Sequence, residues 1–183
     1  MQETLRPAVF LDRDGVINRT ILRGQVSHPP ASVEEFEFLP GVAEACRRLV
    51  DAGYPLVVVT NQPDVARGRQ TRAGVEAING LIRGSLPVLD VLTCFHDTPD
   101  HCACRKPKPG LLLEAAQRWC LDLPRSFLVG DRWSDVLAAQ AAACRSVLID
   151  TPYSGGERCR PDHRARDLGE AVDWILHLSR GGT

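Results

Sequence analysis

Net charge is what this chain most lacks: 22 Lys and Arg stand against 23 Asp and Glu over 183 residues, leaving −1 at neutral pH. So close a balance removes the electrostatic footprint of a nucleic-acid or membrane-surface partner. Long apolar runs are missing too, none approaching the ~20 residues of a membrane span. The opening MQETLRPAVFLDRDG has neither a basic stretch nor a long apolar one, so no secretory leader is expected. There is no internal repeat, low-complexity tract or linker, and the length suits one domain over residues 1–183. Seven cysteines is an odd number, and without a leader it points to reduced thiols in a cytosolic chain rather than a disulfide framework. The expected form is a cytoplasmic monomer.

What is present is a regular alternation. AVFLD (8–12), PLVVVT (55–60), VLTCF (91–95), SFLVGD (126–131) and SVLID (146–150) are short, apolar and bounded by Pro, Gly or polar residues, the pattern of buried strands. Between them, GVAEACRRLVDAG places Val42, Cys46, Leu49 and Val50 on one helical face, with Pro40 before it and Gly53 after it. A second helix is predicted from Thr71 with Val75, Ile78 and Ile82 on one face, weakened by Gly74 and Gly80. GLLLEAAQRWC, SDVLAAQAAAC and LGEAVDWILHL complete the helices, while about 18–40 reads as a long loop or small flap. Strands alternating with helices predict an α/β fold, a mostly parallel central sheet covered on both faces. Ligands bind such a sheet beyond the carboxyl ends of its strands. Asp12, Thr60 and Asp131 each stand at the end of a predicted strand, so residues far apart in sequence converge there.

DRDGVIN sets two carboxylates two residues apart directly after a strand. As turn formers, Asp12 and Asp14 would simply precede Gly15. As chemistry, one is a nucleophile and the other a general acid/base. Carboxylates facing a phosphate dianion repel it by roughly 4 kcal/mol per charge pair at close range in a surface-like dielectric. Such a site therefore needs Mg²⁺ and a lysine. LVGDRWSD offers Asp131 and Asp135 for the metal, VVVTNQ offers Thr60 and Asn61 to phosphate oxygens, and Lys106 or Lys108 supplies the counter-charge. The bland alternatives are a Gly-Asp turn, an N-cap or Asx-turn, and a solvated lysine.

CFHDTPDHCACRKPKPG (94–110) is a different constellation. Cys94 and His96, then Cys102 and Cys104, form two pairs spaced two apart, so that in an extended chain each pair faces one way. Three thiolates and an imidazole fill a tetrahedral Zn²⁺ with no position left for water, which makes the site structural. His101 is the competing donor, and its adjacency to Cys102 makes simultaneous ligation awkward. Such a metal is worth on the order of 10–16 kcal/mol in peptides, enough to order a loop with little apolar content. Arg105 and Lys106 follow the last ligand directly, so a zinc loop over about 94–106 would fix where these two cations sit.

The ordered set DxDG, T-N-Q, R-K-P-x-P and G-D-x-x-x-D, spread over residues 8 to about 150, resembles the haloacid dehalogenase superfamily of phosphohydrolases. The resemblance implies a Rossmann-like three-layer fold with a minimal cap and a zinc-stabilised loop. It implies that Asp12 forms an aspartyl-phosphate, that Asp14 protonates the leaving oxygen and then activates water, and that Mg²⁺ sits on Asp12, the Asp14 carbonyl and Asp131. Thr60 and Lys106 would stabilise the phosphoryl group, Lys106 rather than Lys108 because the family's lysine opens the K-P-x-P segment. The zinc loop feeding R-K-P, and the A-R-G after T-N-Q, are similar to the branch acting on heptose bisphosphate and histidinol phosphate. That branch implies release of the 7-phosphate of D-glycero-D-manno-heptose 1,7-bisphosphate in lipopolysaccharide synthesis, with histidinol phosphate as the alternative substrate. It also implies that Asn61, Gln62, Arg105 and Arg132 bind substrate, Arg105 at the second phosphate. Three departures stand out: Pro63-Asp64 in place of Ser-Gly, Phe95 in place of a proline, and a longer, unfamiliar stretch 19–35 facing the substrate.

Overall fold

The computed structural model describes residues 4–23 and 26–180. In chain order the elements are β1 (Val9–Leu11), β2 (Ile21–Arg23), β3 (Val26–His28), α1 (Val42–Asp51), β4 (Leu56–Asn61), α2 (Arg72–Ser85), β5 (Asp90–Cys94), α3 (Gly110–Trp119), β6 (Phe127–Gly130), α4 (Trp133–Ala141), β7 (Arg145–Ile149), β8 (His163–Ala165) and α5 (Leu168–Arg180). Six strands form one sheet in the order β5-β4-β1-β6-β7-β8, and every pairing within it is parallel.

The apolar strand runs explain the three layers. Val9 and Leu11 face one core with Leu49, Leu56, Ile78, Ile82 and Ile175, contributed by α1, α2, α5 and β4. Phe10, Val57, Val59 and Leu128 face the other, against Leu112 and Ala115 of α3 and Ala138 of α4. Alternation along a strand thus feeds both faces, which is why these runs are continuously hydrophobic. The chain winds outward on one side of β1 through β4 and β5, then returns to build β6, β7 and β8 on the other. The topological switch lies between β1 and β6, the place where such sheets take their ligands.

The predicted helices are all present, and Thr71 caps α2 by accepting from the Gly74 N–H at 3.0 Å. Gly74 and Gly80 lie within that helix without interrupting it. Val50 does not share the buried face: it is 38% exposed, and Ala45 takes its place beside Val42, Cys46 and Leu49. One further residue turns the side chain by about 100° out of the apolar stripe. The flap is an antiparallel hairpin of β2 and β3. Strand β8 was not foreseen, since its His-Arg-Ala sequence pairs with β7 alone and carries little apolar signal. No described helix is long and apolar enough to cross a membrane.

Candidate active site

The register Leu11↔Val58 and Leu11↔Val129 brings the ends of β4, β1 and β6 level, and with them Thr60, Asp12 and Asp131. The Asp12 N–H continues the ladder to Val129 O at 2.9 Å, which fixes where its side chain leaves the sheet. Its Oδ1 accepts from the Arg13 N–H and from Lys106 Nζ, both at 2.8 Å. Lys106 is buried, and its remaining donors go to Asp135 Oδ1 at 2.6 Å and Val59 O at 2.8 Å. The ammonium thus sits between two carboxylates and one backbone carbonyl. Burial alone would lower the Lys106 pKa, but Asp12 and Asp135 outweigh it and hold the cation charged above its usual range. Burial also pushes Asp12 from 3.8 to about 6, with Lys106 opposing and Asp135 and Asp14 reinforcing the shift.

Asp131 is the telling residue. It is fully buried, and among the described residues neither carboxylate oxygen has a hydrogen-bond donor. Burial first, then Asp12 and Asp135, push its pKa well above the carboxylate range. A buried carboxylate beside two others, with the Arg132 guanidinium no nearer than 4.0 Å, is expensive unless a further cation joins it. Oxygens of Asp12, Asp131 and Asp135 lie within 4.8 Å of one another, so the donor set fits a hard, oxygen-binding divalent ion such as Mg²⁺. Asp135 is already tied to Lys106 and, through Oδ2, to the Arg132 N–H at 3.0 Å, where it closes the start of α4. Asp131, whose oxygens accept no hydrogen bond, and Asp12, through the Oδ2 that neither Lys106 nor the Arg13 N–H takes, are the carboxylates placed to face the ion. Gly15 makes room for this: at φ +88° an added Cβ would stand 2.1 Å from Asp131 Oδ2.

Asp14 stands at the edge of the same cleft, held by a buried frame. Arg13, wholly buried, gives its Nε and NH2 to Asp14 at 3.1–3.3 Å and its NH1 to Asn79 Oδ1 at 3.3 Å. Asn18 and Gln62 donate to Asp14 at 2.9 Å and 2.7 Å. The cleft has a volume of about 650 Å³. Asp12, Asp14 and Lys106 line it, with Arg67, Arg69, Arg105 and Arg132 around them and Ser27, His28 and Pro29 reaching in from the hairpin.

The second constellation is equally compact. Cys94, His96, Cys102 and Cys104 offer four ligand atoms within 4.8 Å of one another. Cys94 Sγ lies 3.7 Å from both His96 Nδ1 and Cys102 Sγ, His96 Nδ1 lies 3.3 Å from Cys104 Sγ, and the Cys94–Cys104 pair is closer at 3.1 Å, an edge that an ion between them would open slightly. Ligands about 2.0–2.3 Å from a tetrahedral Zn²⁺ are separated by such distances, so the donors fit that ion. His101 is outside the group; its carbonyl and that of Cys102 accept from Lys108 Nζ at 3.1 and 2.7 Å. Lys108 thus braces the loop while Lys106 enters the site.

Known proteins similar to this chain identify its family. A HAD-hydrolase-like family model matches residues 103–171. The chain is 38% identical to D-glycero-beta-D-manno-heptose-1,7-bisphosphate 7-phosphatase of Helicobacter pylori strain J99, covering 94% of this chain and 98% of the relative. The like-named Salmonella typhi protein is 41% identical over 93% of this chain and 90% of its own. This chain belongs to the haloacid dehalogenase-like phosphatases. Among solved structures, the D,D-heptose 1,7-bisphosphate phosphatase of B. bronchiseptica, complexed with magnesium and phosphate, superposes with a TM-score of 0.78 at 29% identity, covering 94% of this phosphatase and 99% of that chain.

Not every residue expected to touch substrate faces the cleft. Gln62 is fully buried and spends its NH₂ on Asp14 and, at 2.8 Å, on Thr60 Oγ1. Asn61 lines the cleft, yet its amide brackets the Lys106 backbone, accepting from N–H at 3.1 Å and donating to C=O at 3.0 Å. Gln62 thus shapes the phosphatase site from behind, while Asn61 both borders the cleft and holds the Lys106 backbone. Thr60 is buried at 1% exposure, and accepting from Gln62 leaves its own proton to give. Arg132 stays at the rim, its guanidinium 5.3 Å from the Tyr153 ring. Arg13, between the two aspartates, was not singled out from the sequence. The available signal was a charged residue immediately after a buried strand, where alternation turns it inward.

Proposed function

We propose that this phosphatase removes the 7-phosphate of D-glycero-D-manno-heptose 1,7-bisphosphate through an aspartyl-phosphate on Asp12. The observation that carries the reading is Asp12 paired with buried Lys106 beside Asp131, whose buried oxygens accept no hydrogen bond among the described residues, at the floor of a cleft walled by guanidinium groups. The relatives' names supply the sugar.

Asp12 attacks phosphorus, forming an oxygen–phosphorus bond as the bond to the sugar C7 oxygen breaks. Asp14 delivers a proton to that leaving oxygen, then takes one from the water that cleaves the acyl phosphate. Lys106 and the Thr60 hydroxyl stabilise the transferring oxygens, and Asn61 holds the Lys106 backbone in register for it. Mg²⁺, when bound by Asp12, Asp131 and the Asp14 carbonyl, supplies neutralisation of phosphoryl charge. Zn²⁺, on Cys94, His96, Cys102 and Cys104, has a structural part, ordering the loop that carries Arg105 and Lys106. Its thiolates suit a reducing compartment, which supports a cytoplasmic enzyme; we take it to act as a monomer on a small phosphorylated sugar, within lipopolysaccharide synthesis.

The histidinol phosphate alternative needs carboxylates around an amine. Glu34 and Glu35 do not line the cleft, and Asp64, which does, is paired with Arg67 and Arg69; Glu35 is occupied by the Ala31 N–H at 2.9 Å. A wall carrying Arg67, Arg69, Arg105 and Arg132 suits a second phosphate. The test is phosphate release from both heptose bisphosphate anomers and from histidinol phosphate, with Mg²⁺ and with it chelated. Mg²⁺-dependent turnover of a heptose anomer, the β form first, is expected to exceed that of histidinol phosphate. A preference for histidinol phosphate would keep the chemistry and overturn the substrate.

A further inference from the structure

The loop after β4 and the Cys/His loop meet at one carboxylate. Asp97, next to His96, accepts from Arg67 Nε at 2.7 Å and from Arg67 NH2 at 2.8 Å, a bidentate pair. The same carboxylate lies 3.6 Å from Arg105 NH2. Its orientation is fixed locally, because Oδ1 also accepts from the Thr98 N–H at 2.8 Å and the Asp97 N–H donates to Asp100 Oδ2 at 2.7 Å. Arg105 is restrained a second time by His96 O at 3.3 Å, and Arg67 by Asp64 at 3.2 Å. Asp64 is the residue that departs from the family's Ser-Gly pattern.

Both guanidinium groups line the cleft that holds Asp12 and Lys106. Two such cations side by side repel each other and spend side-chain entropy when a ligand orders them. A shared carboxylate removes most of that repulsion and holds both forks; with Arg69 beside Asp64 at 3.7 Å, three guanidinium groups against two carboxylates still leave one net positive charge at the cleft. Arg105 and Lys106 are neighbours in sequence, so the spacing between this pair and the reacting end of the site is set by backbone.

We propose that Asp97 is a positioning residue that holds Arg67 and Arg105 as a paired clamp for the non-reacting phosphate of a bisphosphate substrate. Arg67 becomes a binding residue for that phosphate. The inference rests on the bisphosphate reading above and adds the device that selects for it: a monoester has no second anion to occupy the clamp.

Asp97→Asn keeps the side chain's shape and an acceptor for the Thr98 N–H while removing the charge. In the full-length, metal-loaded protein, KM for heptose 1,7-bisphosphate is expected to rise about tenfold, with kcat within about twofold. The ratio of kcat/KM for the bisphosphate to that for phenyl phosphate is expected to fall by a similar factor, and metal analysis is expected to find zinc retained. Arg67→Gln, whose side chain touches no cluster ligand, is expected to give the same KM-specific loss, and the double variant little more than either single change. An unchanged KM, equal losses on both substrates, or release of zinc by Asp97→Asn would overturn the clamp. If the wild-type protein does not turn over the bisphosphate at all, the substrate reading falls and the clamp with it. Normal wild-type turnover with unaffected variants removes the clamp alone.

Discussion

Asp131 has the sharpest conflict between burial and charge in the molecule, and Gly15 is the residue that permits it. A methyl at position 15 would meet Asp131 Oδ2 at 2.1 Å and Cγ at 2.6 Å, with the backbone held at φ +88°. Asp131 is short and rooted at the end of β6, so it can yield only by rotating away from Asp12. Gly15→Ala is therefore expected to cost about 1–3 kcal/mol of stability and about a hundredfold in kcat/KM. The Mg²⁺ concentration for half-maximal activity should rise with it. Unfolding curves and a Mg²⁺ titration of activity check this; a folded variant with unchanged Mg²⁺ dependence would show that Asp131 does not face the metal. At this scale the sequence revealed residue types better than directions. Asp12, Asp131 and Lys106 were legible because each ends an apolar run or opens a fixed motif. Gln62 and Asn61 stand in equally plain motifs, but a side chain's heading at a strand end depends on pleat and twist, and both proved to serve neighbouring protein groups.

The elements divide along the same line. Strands β1, β4, β5, β6 and β7 were legible because burial on both faces leaves continuous apolar runs. The hairpin of β2 and β3 and the three-residue strand β8 were not, since short strands with few buried side chains carry little apolar signal; β5, the opposite edge, was legible because Val91, Leu92 and Cys94 are buried. The Cys/His loop is ordered by ligand chemistry instead. It sits between β5 and α3, and Gly110 packs so closely that an added Cβ would lie 2.4 Å from Ala103 O. Loss of the cluster should therefore loosen the loop and the Lys106 segment while the sheet persists. Cys104→Ser is expected to lose zinc, to become cleavable by protease within about 97–105, and to lose most activity. Its circular dichroism should stay close to wild type, with the unfolding midpoint lowered by several degrees for each kcal/mol lost. Full activity in a zinc-free variant would mean that the loop holds itself.

Across the whole molecule, folding stores charge against burial, and pH exposes it. The folded Asp12 carboxyl titrates near 6 against an ordinary 3.8. Between those values the folded chain keeps a proton that the unfolded chain has already released. Stability of the metal-free protein therefore falls as pH rises from about 4 to about 6, by on the order of 3 kcal/mol from this group, and is insensitive to it above. Asp131, raised in the same direction, adds to the effect. Asp97, held down to about 2 first by its hydrogen bonds to Arg67, acts in the opposite sense: its contribution is complete above the ordinary carboxylate range and is lost only in stronger acid. A divalent ion binds the ionised carboxylates, so it competes with protons for Asp12 and Asp131 and restores what their burial costs. Saturating Mg²⁺ is thus expected to raise the unfolding temperature clearly at about pH 7.5 and hardly at all at about pH 5. Taking the difference with and without Mg²⁺ at each pH cancels every carboxylate that does not face the ion. An equal rise at both pH values would place the ion on groups other than this buried pair.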